Sequence, residues 1–114
     1  MEMMPAKLYD ARQLDFNPDG KGKTNVLHQA DNFKIRVIEL SQGESIPPCE
    51  MSANVIFQVL SGAVDIIVNG ETVSLVEGQG IVSDPATISM STSTGARLLG
   101  VQINSKSQEA RIER

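Results

Sequence analysis

Reactive side chains are scarce in this sequence. It holds one cysteine, Cys49, and one histidine, His28, so no site built on several imidazoles can form within one chain. A serine nucleophile with a histidine base would have to use His28. There is no nucleophile elbow, no phosphate loop and no dinucleotide glycine fingerprint. Cys49 lies in the stretch Gly43-Glu44-Ser45-Ile46-Pro47-Pro48-Cys49-Glu50-Met51, which runs on through apolar residues to Gly62. A nucleophilic thiol needs a nearby cation or base to lower its pKa. The neighbouring Glu50 opposes that, and His28 is the only imidazole that could help. A Cys49–His28 pair is therefore one open possibility. The other is that His28 sits on a strand at the surface or barrel rim and Cys49 packs as a small apolar residue.

Composition narrows the partners. The formal net charge is -4 and the pI is about 4.9. A basic footprint for nucleic acid is missing, and so is one for an anionic membrane surface. No apolar run is long enough to span a bilayer. The start, Met1-Glu2-Met3-Met4-Pro5, lacks the basic and apolar regions of a secretory signal. A single cysteine makes no internal disulfide, which suits a reducing compartment. The expectation is a cytoplasmic protein of one domain.

The elements that would position Cys49 are strands. A weak strand is expected at Ala6–Tyr9, with Asp10 capping a short helical turn, followed by a turn cluster from Asn17 to Lys23. Thr24–Gln29 reads as a strand with Val26 and His28 on one face. Phe33-Lys34-Ile35-Arg36-Val37 alternates, which predicts Phe33, Ile35 and Val37 inward and Lys34 and Arg36 outward. Val37 to Leu40 breaks the alternation, as a segment buried on both faces would. Val55–Leu60 and Ala63–Val68 read as strands separated by a turn at Ser61-Gly62. Asn69-Gly70 predicts a tight type I′ hairpin into Thr72–Val76. Short strands at Ile81–Ser83, Ile88–Thr92 and Ala96–Ile103 complete the pattern. Residues 24–103 would form the barrel, after an N-terminal strand and loop over 1–23 and before a polar tail over 104–114. Many short strands with turn signals between them imply an all-β sandwich or barrel.

In this frame the chain resembles the cupin superfamily. The first motif of that family opens on glycine, sets two histidines and a glutamate at fixed spacing, and closes on glycine. Gly43, Cys49, Met51, Val55 and Gly62 match its positions. The second motif is matched in outline by Gly78-Gln79-Gly80, Pro85, Thr87, Met90 and Thr94, with the glycine-to-proline spacing off by about one residue. The resemblance implies a double-stranded β-helix (jelly-roll) barrel with a pocket lined by Cys49, Met51, Val55, Phe57 and Met90. It also implies pairing into a homodimer, with Ile56, Ile67 and Leu98 or Leu99 as outward apolar residues to cover.

The residues at the ligand positions depart from the family pattern. The family binds metal through imidazoles and a carboxylate, whereas the matching residues here are Cys49, Met51, Val55 and Met90. Hard and borderline ions prefer nitrogen and oxygen donors. Three readings stay open: barrel packing, an apolar pocket for a small molecule, or a soft Cu(I) site on Cys49, Met51 and Met90. The leading expectation is a small-molecule-binding or regulatory module with no metal, no cofactor and no assigned catalytic residue. The alternatives are a divergent metal or thiol enzyme using Cys49, and a structural dimerisation module.

Overall fold

Eight antiparallel strands make up the regular structure of the computed structural model, which describes residues 5–18 and 25–104. They are β1 (Val26–Gln29), β2 (Phe33–Leu40), β3 (Ser45–Met51), β4 (Asn54–Val68), β5 (Glu71–Val76), β6 (Gly80–Ser83), β7 (Ala86–Ser91) and β8 (Ala96–Ile103). Residues 19–24 of the expected turn and first strand, and 105–114 of the expected tail, lie outside the described residues. The strands form two sheets that share β4. One runs β1-β2-β8-β4-β6 and the other β3-β7-β4-β5. Their inner faces enclose a core that includes Leu40, Val55, Val59, Val64, Ile66, Met90 and Leu98. This is an all-β jelly-roll barrel.

The 15-residue strand β4 holds the two sheets together. A turn at Ser61-Gly62 was expected; instead the strand bends there and continues. The register against β8 slips between Val59 and Ser61, as in a β-bulge. Buried positions run Val55, Phe57, Val59 before the slip and Val64, Ile66 after it. The extra residue changes the parity, so that both halves keep their apolar residues inward. Gly62 makes the bend possible. Its φ is +82°, and a Cβ there would fall on the carbonyl oxygen of Gly95. Thr92 braces the same corner. Its buried hydroxyl donates to the Ala63 carbonyl (2.6 Å) and accepts from the Gly95 N–H (2.9 Å).

Two other local features follow from backbone chemistry. Asn69 (φ 49°) and Gly70 (φ 88°) both take positive φ, as the Asn-Gly hairpin requires, and join Val68 to Glu71 across the turn. The Pro47-Pro48 pair lies within strand β3. Prolines donate no ladder hydrogen bond and are tolerated on edge strands. Among the described residues β3 pairs only with β7, and its register shifts between Ile46 and Cys49, where the prolines fall.

The structure corrects four further expectations. Ala6–Tyr9 is not a strand. It has no pairing partner among the described residues, and Leu8 is 95% exposed. Asp10–Gln13 forms a turn rather than a helical turn, with the Gln13 N–H donating to the Asp10 carbonyl (2.9 Å). The faces of β2 are the reverse of those expected. Arg36 pairs with Gly100, which pairs with Phe57, and that row faces inward; Ile38 and Leu40 share its face. Val37 is buried on the outer face near Leu14 of the N-terminal segment. Apolar residues on both faces of β2 made alternation ambiguous there. Leu98 belongs to the core, fully buried, and not to an outward patch.

We expect Gly62→Ala to cost about 2–4 kcal/mol, from a strained φ and a backbone clash together. Gly70→Ala shares the strained φ but has nothing within 4 Å of the new Cβ. It should cost only about 1–2 kcal/mol. Urea unfolding of both variants checks this, and equal losses would contradict the close approach at Gly62.

Candidate functional site

One cavity of about 190 Å³ lies inside the barrel and touches five strands. β3 contributes Ile46, Cys49 and Met51, and β4 contributes Val55 and Phe57. Ile88, Ser89 and Met90 come from β7, Arg36 and Ile38 from β2, and Gly100, Val101 and Gln102 from β8. Pairing explains why these residues meet. Ile46 lies opposite Met90, Cys49 opposite Ile88 and Met51 opposite Ala86, so one face of β3 points at the core side of β7. Gly100 keeps the wall thin. A Cβ on it would come within 3.1 Å of Ile38 Cδ1 and 3.2 Å of Phe57 Cε1. The deep end is made by the buried Val55, Phe57, Ile88 and Met90, and the exposed Cys49 and Arg36 mark the mouth.

The structure therefore brings Cys49, Met51, Val55, Phe57 and Met90 to one cavity. It does not bring His28 there. The register of β1 slips between Val26 and His28, which sends the two to opposite faces. His28 sits opposite Ile35 on the outer face, and its ring centroid is 5.8 Å from that of Phe33. The Cys49–His28 arrangement is not formed. Glu50 pairs with the exposed Thr87 and alternates away from the cavity. Ser89 also lines the cavity, whereas Thr92, three residues on, is a structural brace.

The residues present do not fit a metal of the hard or borderline kind. At the matching positions stand a thiol, two thioethers and an alkyl group, where such ions take nitrogen and oxygen. Val55 is 1% exposed and part of the core. Burying a valine contributes roughly 1.5–3 kcal/mol, whereas a carboxylate in its place would need a paired charge. No group of three or more His, Cys, Asp or Glu side chains comes together among the described residues.

Sequence comparison finds no matching family model and no matching curated protein. Structural comparison does find relatives. A conserved protein of unknown function from Streptococcus pyogenes superposes with TM-score 0.71 at 23% identity, covering 90% of both chains. The cupin domain of Cnp3 from Schizosaccharomyces pombe gives 0.68 at 18% identity, over 77% of this chain and 68% of that one. The fold is the cupin fold. Salicylate 1,2-dioxygenase from Pseudoaminobacter salicylatoxidans, in adducts with gentisate, is similar over 70% of this chain and 22% of that enzyme, with TM-score 0.62 at 23% identity. The same architecture thus occurs in an enzyme, in a domain of a larger protein and in a protein of unknown function. The fold does not choose among them, and the site must.

Among the cavity residues not expected there from the sequence, two carry long polar side chains, Arg36 and Gln102. Arg36 was assigned to the outer face, and Gln102 was passed over within a strand read only for its apolar residues. The pairing of Arg36 with Gly100 would have flagged both, but register cannot be read from one strand alone.

Proposed function

We propose that this cupin barrel is a small-molecule-binding or regulatory module of the cytoplasm whose pocket works without a metal. The observation that carries this reading is the cavity wall at the metal-motif positions. It consists of Cys49, Met51, Val55 and Met90, with Phe57 beside them, and it is mostly apolar. Apolar concave sites with a few polar groups are the usual form of small-ligand pockets. Sulfur side chains adapt their packing to such ligands. Under this reading Cys49 is a wall residue and not a nucleophile.

The test is mass spectrometry of untagged, gently purified protein, together with elemental analysis. We expect a copurifying small organic molecule and metal well below one equivalent per chain. Stoichiometric copper, iron, nickel or zinc would overturn the reading. Cys49→Ser should leave occupancy unchanged, and its loss would favour a thiol-dependent role.

We also propose that the barrel pairs with a second copy through the outer face of the larger sheet. Ile35, Val101, Ile56 and Val82 lie in one register row across β2, β8, β4 and β6. Val82 is 75% exposed. A row of this kind suits a two-fold contact, in which the same patch meets itself. Sedimentation should give a dimer that Val82→Asp converts to monomer. A wild-type monomer at all concentrations would refute pairing.

A further inference from the structure

The cavity is mostly apolar, and a cation at its mouth has no partner among the described residues. Among the described residues Arg36 is the only charged one that lines it, in a chain whose net charge is -4. The other two arginines among the described residues are both paired. Arg12 meets Asp10 at 2.9 Å, and Arg97 meets Glu39 at 3.2 Å and also donates to the Leu14 carbonyl. Arg36 has no hydrogen bond or ion pair among the described residues. Glu44 lines the adjoining depression along with Arg36, but its Oε1 accepts from the Ser41 N–H (2.7 Å).

The register places a second polar group beside this guanidinium. Arg36 pairs with Gly100, and Gln102 stands two residues along β8 on the same inner face. Such diagonal neighbours lie about 7–8 Å apart at the backbone, within reach of one head group for long side chains. Gln102 also lines the cavity, and its amide has no hydrogen-bond partner among the described residues. Gly100, between them, adds no side chain to block access.

A guanidinium fork matches a carboxylate, and charge-assisted hydrogen bonds are roughly twice as strong as neutral ones. We propose that the cavity selects a small organic acid with an apolar body. The body lies against Val55, Phe57 and Met90, and the carboxylate meets Arg36, with the Gln102 amide as a second donor. This deepens the pocket reading above and rests on it.

Hexanoate and its neutral isostere hexanamide separate the two ideas. Calorimetric titration of the full chain should show hexanoate binding at least about tenfold tighter than hexanamide, as a charge-assisted contact predicts. In Arg36→Gln the two probes should bind equally, within about twofold, while hexanamide binds as it does to wild type. Gln102→Leu should narrow the preference without abolishing it. Equal binding of both probes to wild type would overturn the acid-selective reading and leave the pocket standing. So would a preference that survives in Arg36→Gln. If neither probe binds wild type, the pocket reading falls and this proposal falls with it.

Discussion

The structure depends on one close approach of backbone to backbone. Strand β4 crosses from one sheet to the other at Leu60–Gly62, and Gly62 lies against the Gly95 carbonyl with no room for a side chain. Without that bend, the alternation set by Val55, Phe57 and Val59 would carry on and turn Val64 and Ile66 toward solvent. With it, a single strand supplies apolar side chains to both walls of the barrel. The Thr92 hydroxyl secures the corner by bonding Ala63 of β4 and Gly95, which leads into β8. The first half of β4 then forms the floor of the cavity, and the second half forms the sheet to which β7 and β3 attach.

This architecture puts a pocket where the family frame would hold a metal, but the residues there have a different chemistry. Val55 packs in the core, Met90 is buried, and Cys49 stands at an exposed mouth on an edge strand. The polar side chains of the cavity stand elsewhere, chiefly Arg36 on β2 and Gln102 on β8, with Ser89 on β7. Under the proposed reading the pocket serves recognition of a small molecule. The deep end is suited to an apolar group, and the mouth is suited to an anion.

Much of this was legible in the sequence where local chemistry decides structure. The Asn69-Gly70 turn and the last strand Ala96–Ile103 both follow from residue types in a short window. The glycine frame around Cys49 led to the cupin fold, which the structural relatives share. What escaped was decided over longer distances. The bend at Gly62 resembles a turn because Ser-Gly favours both. β2 carries apolar residues on both faces, so its inner face was chosen by partners on β8 and by the N-terminal segment over Val37. His28 changed face through a one-residue slip in β1. β3 hid behind two prolines that only an edge strand accepts.

The central claim is that a small molecule enters the cavity lined by Met51 and Met90. Methyl-labelled methionine NMR tests it directly, because both methionines line the cavity. Titration with hexanoate or hexanamide should shift the Met51 and Met90 methyl signals together, in a saturable way. Signals from Met51 and Met90 that stay fixed through the titration would contradict the account.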